Sequence, residues 1–102
     1  MLAITLMGRG IADSATVTNE GVKIIQRTDQ AQYIRITNLG ESYVYLTPSN
    51  SLENEAEIGK GIALAPKGEY GSFIEFDRNK FFRSDIWAIA DVDTDVAILI
   101  GH

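Results

Sequence analysis

Cysteine is missing from this 102-residue sequence, and histidine occurs once, as His102. Without cysteine the chain can form no disulfide scaffold, no thiolate zinc finger, no iron–sulfur cluster and no cysteine nucleophile. A single histidine cannot form a histidine cluster for a metal, and a serine nucleophile would lack its usual base. We therefore expect a protein that is not an enzyme and that has no catalytic residue, metal site or cofactor.

Basic residues are also few, since nine lysines and arginines stand against fourteen aspartates and glutamates, for a net charge of −5. Such a chain repels phosphate backbones, so we expect no nucleic-acid binding. One group of basic residues stands between Asp77 and Asp85 and includes two phenylalanines; its members are Arg78, Lys80, Phe81, Phe82 and Arg83. We interpret this group as a solvated loop or as a contact with another protein.

Long apolar runs are absent too. Residues 1–8 are apolar, but no basic residue precedes the run, and it is shorter than the core of a signal peptide. No later stretch has the about 20 apolar residues that a membrane-spanning helix needs. We expect a soluble protein that is not exported and does not contact a membrane.

What the sequence does contain is short apolar runs that alternate with polar residues, separated by Gly, Asn, Asp and Ser. This period-two pattern is typical of β-strands. About eight such strands with turns between them predict an all-β fold, an antiparallel β-sandwich of jelly-roll type, with residues 1–102 as one domain and residues 1–10 as an arm or first strand. The predicted strands are residues 2–6, 22–25, 32–39, 43–47, 62–64, 70–76, 86–90 and 96–100.

Turn residues suggest how these strands connect. Residues 38–42 predict a hairpin turn in which Gly40 takes a positive φ. Pro48 should end the return strand, because proline has no amide hydrogen for the sheet. The sequence Pro66-Lys67-Gly68 predicts another turn, and residues 91–95 predict a second hairpin loop.

Residues 50–60 are the one segment in which a helix is plausible. Asn50 and Glu53 resemble a capping box, but glycines follow closely, so we expect at most one helical turn in an acidic loop. Glu53, Glu55 and Glu57 form a carboxylate cluster there. A chain of this size rarely provides the cleft that paired carboxylates need for catalysis, so we interpret the cluster as a hydrated loop.

A second acidic group, Asp91, Asp93 and Asp95, resembles the start of a calcium-binding loop. Such a loop needs glycine at its sixth position and glutamate at its twelfth, where this chain has Val96 and His102. A solvated loop tip is therefore the favoured interpretation, with a weakly bound cation as the alternative.

The aromatic residues suggest a surface. Tyr43 and Tyr45 alternate with Val44 and Leu46, so both tyrosines should point away from the core. With Tyr33 on the strand that we predict to be adjacent, they would form an aromatic platform for a protein or a sugar. Ordinary cross-strand pairing of aromatic side chains is the alternative.

The last predicted strand, residues 96–100, is apolar on both faces. Such a strand is either central in its sheet and covered on both sides or in contact with another subunit.

From Tyr33 onward, strand and turn motifs follow one another in a characteristic order. The residues that form these motifs are Ile34, Ile36, Asn38, Gly40, Val44, Tyr45, Leu46, Leu64, Pro66, Gly68, Glu69, Trp87, Ala88 and Ile89. This order resembles that of small phage virion proteins of the head-decoration or cement type. The resemblance covers about two-thirds of the chain and departs from the pattern by the insertion of Lys67 between Pro66 and Gly68 and by the longer acidic loop at residues 50–60.

The resemblance implies a virion structural protein without cofactor or catalytic residue. We expect it to be located in the virion, to form a homo-oligomer and to bind the major capsid protein or another virion protein. The alternative is a tail or host-recognition module that binds a carbohydrate or receptor. We expect the contacts to come from residues 1–10 and from Tyr43, Tyr45, Phe81, Phe82, Arg83 and Trp87.

Overall fold

The structure, a computed structural model, describes residues 10–26, 33–49, 56–77 and 85–101, and within these ranges it is all β, as expected. The described ranges contain no helix that is long and apolar enough to cross a membrane. The described ranges contain eight strands: β1 Gly10–Val17, β2 Val22–Ile25, β3 Tyr33–Asn38, β4 Val44–Ser49, β5 Ile62–Leu64, β6 Phe73–Asp77, β7 Asp85–Ala90 and β8 Thr94–Gly101.

The strands form two antiparallel sheets of four. Sheet A has the order β1-β8-β3-β6, and sheet B has the order β2-β7-β4-β5. This interleaved order, in which most consecutive strands lie in opposite sheets, is that of a jelly roll. The predicted fold class, an antiparallel β-sandwich of jelly-roll type, is therefore confirmed.

Both predicted hairpins are wrong. β3 pairs with β6 and β8, whereas β4 pairs with β5 and β7, so residues 39–43 cross from one sheet to the other. The same holds for residues 91–93, which connect β7 in sheet B with β8 in sheet A. A short polar link can have the same local sequence whether it forms a hairpin within one sheet or crosses from one sheet to the other. Only pairing over long range distinguishes the two.

Gly40 is needed for a different reason from the one predicted. Its φ is not positive. A Cβ atom at this position would lie 2.5 Å from Cγ2 of Thr94, a buried side chain at the start of β8. The glycine therefore allows the link between β3 and β4 to approach β8 closely.

Pro48 does not end β4, which continues to Ser49 and pairs Pro48 with Ile86 of β7. The pairing of β4 with β5 stops two residues earlier, at Leu46. Beyond that point one side of β4 has no partner strand in the described part of the chain, and a proline is tolerated at such an edge.

The core is formed by the inward residues of both sheets, in agreement with the predicted alternation. Ile34 and Ile36 of β3 are buried, as are Val44 and Leu46 of β4. β8 is a central strand between β1 and β3, and its inward residues Val96 and Ile98 are buried while its outward apolar residues Ala97 and Leu99 are half-buried. The other buried apolar residues of this cluster are Val17, Ile25, Leu64, Phe76, Ile86, Ala88 and Ala90.

The buried side-chain amide of Asn38 connects the two sheets at one end of the sandwich. Asn38 is fully buried, and its Nδ2 donates to the carbonyl oxygens of Ser42 (2.7 Å), Leu64 (3.2 Å) and Ala65 (3.0 Å). Its Oδ1 accepts a hydrogen bond of 2.9 Å from the N–H of Gly40. One side chain at the end of β3 thus connects the link between β3 and β4 with the end of β5 in sheet B, where it satisfies two buried carbonyl oxygens.

The remaining local predictions are partly confirmed. The turn after β5 is present, with Gly68 at φ +84 and a bond of 3.0 Å from the N–H of Glu69 to the oxygen of Pro66. The next strand starts at Phe73 rather than Tyr70, which is fully exposed. Residues 56–60 form a turn, whereas residues 50–55 and the predicted strand at residues 2–6 lie outside the described residues.

Candidate functional site

The outer surface of sheet B carries two of the predicted interface tyrosines. Because Val44 and Leu46 point into the core, Tyr45 points outward, and Tyr43, just before β4, is 47% exposed. β7 lies beside β4 and adds an outward Trp87 and Ile89 by the same alternation. We call this surface the tyrosine face and define it by Lys23, Tyr43, Tyr45, Thr47, Trp87 and Ile89.

The rings of the two tyrosines lie against each other. Their ring centroids are 6.3 Å apart and the ring planes differ by 19°, so they are stacked. Tyr45 lies directly opposite Ile89, which is buried (7% exposed) although it points outward. The two rings thus form one ordered apolar patch rather than two independent side chains.

Trp87 extends the tyrosine face toward β2. Nζ of Lys23 lies 5.7 Å from the centroid of the Trp87 ring and 3.3 Å from Oδ2 of Asp85. The indole nitrogen of Trp87 is buried and has no hydrogen-bond partner in the described part of the chain. The predicted site residue Trp87 therefore lies on the same face as Tyr43 and Tyr45, with a cation at its edge.

Tyr33 does not join this platform, and that part of the prediction is wrong. Its strand, β3, belongs to sheet A, so Tyr33 lies on the opposite surface of the sandwich. There its hydroxyl donates a hydrogen bond of 2.5 Å to Oε2 of Glu75. This bond to a carboxylate, together with partial burial, raises the pKa of Tyr33 above its usual value.

The outer surface of sheet A has a second aromatic contact that the sequence reasoning missed. The guanidinium carbon of Arg35 lies 4.3 Å from the centroid of the Phe73 ring, which is 44% exposed. Arg35 is opposite Glu75 on β6, and Phe73 is opposite Thr37. The sequence alone does not show this contact, because it does not show that β3 pairs with β6.

Several predicted contact residues lie outside the described residues. These are Phe81, Phe82 and Arg83, together with Arg78, Lys80 and residues 1–9 of the predicted arm. The structure therefore brings together three of the six predicted interface side chains, Tyr43, Tyr45 and Trp87.

The acidic groups do not converge in the described part of the chain. Asp91 and Asp93 are exposed in the link between β7 and β8, and Asp95 accepts a hydrogen bond of 2.7 Å from Oγ1 of Thr16. Glu57 forms an exposed ion pair of 2.9 Å with Lys60. No three carboxylate or histidine side chains in the described ranges are placed to share a metal ion.

Comparison with known proteins gives no relative: no family model, no curated protein and no solved structure matches the chain.

Proposed function

We propose that this chain is a non-enzymatic virion structural protein, a decoration or cement protein that binds and braces a phage head lattice. The observation that carries the proposal is the tyrosine face, on which Tyr43 and Tyr45 are stacked and Trp87 lies on the adjacent strand. Rigid aromatic side chains with a polar tip are enriched in protein interfaces, because they bury a large area at a small cost in side-chain entropy.

The two-layer fold supports a bridging role. Its two sheets expose surfaces on opposite sides of the molecule, the tyrosine face on sheet B and the surface around Arg35 and Phe73 on sheet A. One side can contact the lattice while the other side or an edge contacts further copies. A single aromatic patch gives only a modest affinity, but many copies bound to one shell add their contacts together.

Binding to undecorated phage heads tests the proposal. Co-sedimentation of the chain with such heads should saturate, and Tyr43→Ala with Tyr45→Ala should weaken binding at least about tenfold, which corresponds to about 1.4 kcal/mol. Tyr70→Ala is the matched control, since Tyr70 is a fully exposed tyrosine in the turn between β5 and β6 and is not part of the tyrosine face. Equal binding by the double variant and the control would contradict the assignment of this face.

A carbohydrate-binding or receptor-binding module is the second candidate. The flat pair formed by Tyr43 and Tyr45, with an interplanar angle of 19°, is the kind of surface on which sugar rings stack. Lys23 lies at the edge of the same face, where its ammonium group can donate hydrogen bonds to sugar hydroxyls.

A glycan array separates the two candidates. A selective glycan that is lost with Tyr45→Ala and retained with Tyr70→Ala would favour the second. Because Trp87 is the sole tryptophan of the chain, its fluorescence provides an independent titration of the same face.

A further inference from the structure

The exposed edges of the two sheets are not equivalent. β1 and β6 are the edges of sheet A, and β2 and β5 are the edges of sheet B. On β1 the carboxylate of Asp13 accepts a hydrogen bond of 2.8 Å from the N–H of Ser14. β2 has a register shift between Lys23 and Ile25, and β5 has only three residues. Charges, bulges and short length are the features that prevent an edge strand from pairing with another chain.

β6 is longer than β2 and β5 and has no bulge, and of its two charged residues, Glu75 and Asp77, the first has its carboxylate bonded to Tyr33 of the same subunit. It pairs with β3 over five consecutive residues without a bulge or a proline, from Phe73 to Asp77. The N–H of Asn38 donates to the oxygen of Ser72, so the polar backbone groups of residues 72, 74 and 76 point toward β3. The backbone N–H and C=O groups of Phe73 and Glu75 consequently point away from β3, toward the open edge of the sheet, where no strand of the described part of the chain lies.

We propose that β6 pairs antiparallel with β6 of a second copy of this chain, around a twofold axis at Ile74. Sheet A then continues through both subunits as one sheet of eight strands. This inference deepens the self-association that belongs to the proposed function and names its surface. In this register Phe73 lies opposite Glu75 of the partner subunit, and by symmetry Glu75 lies opposite the partner's Phe73.

Charge selects this register. Arg35 lies over Phe73, and the carboxylate of its own cross-strand neighbour Glu75 is bonded to Tyr33. The register brings Glu75 of the partner subunit beside Phe73, within reach of the Arg35 guanidinium. A twofold axis at Glu75 would instead place two carboxylates directly opposite each other, which is unfavourable in a β-ladder.

Backbone and apolar contacts agree with the same register. The two pairs of Phe73 and Glu75 would exchange four backbone hydrogen bonds, because these residues carry the outward-pointing N–H and C=O groups. Ile74, which is half-buried at the edge of the core, would lie opposite the partner's Ile74 in a non-hydrogen-bonded pair. Side chains are closest in such pairs, so dimerisation would cover the part of Ile74 that now contacts water.

Single-cysteine variants test the pairing directly, because the chain contains no other thiol. Ile74→Cys should form a covalent dimer under mild oxidation, since opposite residues of a non-hydrogen-bonded pair have Cα atoms about 4.5 Å apart and disulfides accept about 4.4–6.8 Å. Ala63→Cys, an exposed position on edge strand β5, is the matched control and should remain monomeric. Cross-linking of Ile74→Cys no faster than the control would overturn the proposal, and rapid self-cross-linking of Glu75→Cys would overturn the register.

A charge exchange tests the role of Arg35. Arg35→Glu and Glu75→Lys should each raise the dissociation constant of the dimer at least about tenfold, and the double variant should return it to within about threefold of the unmodified chain. Sedimentation equilibrium measures these constants, and circular dichroism confirms that each variant folds. Failure of the double variant to recover the dimer would contradict the charge argument.

The dimer and the head-binding proposal fail in different ways. A chain that is monomeric at high concentration but still saturates undecorated heads would overturn the β6 pairing and leave the proposed function intact. Protection of the Phe73 and Glu75 amides from hydrogen exchange only on the heads would show that a lattice strand, rather than a second copy, pairs with β6, and would also overturn the inference.

Discussion

Replacement of Asn38 should cost more stability than replacement of any exposed polar residue of the chain. Its amide lies at 0% exposure and forms four hydrogen bonds that join the link between β3 and β4 to the end of β5. Asn38→Ala removes all four and leaves the buried carbonyl oxygens of Leu64 and Ala65 without this donor. The expected effect is a large loss of folding free energy with no change in the sheet pattern.

The magnitude follows from the burial of those partners. Each buried acceptor that loses its donor costs about 1–3 kcal/mol, and each of the two part-buried bonds contributes about 0.5–1.5 kcal/mol net. Some relaxation and water entry will reduce the sum, so we expect about 3–5 kcal/mol for Asn38→Ala. A domain of this size has about 5–15 kcal/mol in total, and the midpoint of thermal unfolding should fall by about 15–25 °C.

Urea denaturation followed by circular dichroism measures this loss, with Asn19→Ala, an exposed asparagine in the turn before β2, as the control. The control should stay within about 0.5 kcal/mol of the unmodified chain. A loss below about 1 kcal/mol for Asn38→Ala would refute the reasoning that this amide fastens the two sheets.

The isosteric variant Asn38→Asp separates lost hydrogen bonds from lost volume. Burial among carbonyl oxygens would raise the pKa of the new carboxyl in the folded state. The folded state then binds its proton more tightly than the unfolded state, so the stability deficit should grow as the pH rises. Relative to the unmodified chain at the same pH, the variant should be less destabilised at pH 4 than at pH 7.

Two further predictions concern other contacts in the sheets. Gly40→Ala should destabilise the fold by about 1–3 kcal/mol, because its Cβ would contact Cγ2 of Thr94. Thr94→Ser removes that methyl group and should recover part of the loss in a double-mutant cycle. An equal loss in the Thr94→Ser background would contradict the steric explanation. Because the hydrogen bond to Glu75 raises the pKa of Tyr33, its stabilisation is present below about pH 10 and is lost as the pH rises through the folded pKa. As the pH rises above about 10, Tyr33→Phe should therefore lose less stability than the unmodified chain in denaturant titrations, and parallel pH curves would contradict this explanation.

Seven of the eight strands in the described ranges overlap predicted ones, because the signal for a strand is local, whereas β1 Gly10–Val17 lies where no strand was predicted. The alternation in β3 places Ile34 and Ile36 in the core, and the same alternation directs Tyr45 outward. Burial of alternate side chains is imposed on each strand separately, so a single sequence carries this information.

The pairing of strands could not be predicted in the same way. β3 and β4 are separated by five residues, which suits a hairpin, yet β3 pairs with β6 and β8. The roles of Asn38 and Gly40 depend on Leu64, Ala65 and Thr94, which are distant in the sequence. For the same reason the sequence does not show that Tyr33 lies on the surface opposite Tyr43 and Tyr45, or that Trp87 lies on the strand beside Tyr45.

The most direct test of the proposed function is the stability of undecorated phage heads with and without the chain. Saturating amounts of the chain should bind at a fixed number of copies per head and raise the temperature at which the heads disrupt, whereas the variant with both Tyr43→Ala and Tyr45→Ala should do so only at higher concentration. Heads that show no saturable binding, or that disrupt at the same temperature with and without the chain, would contradict the account.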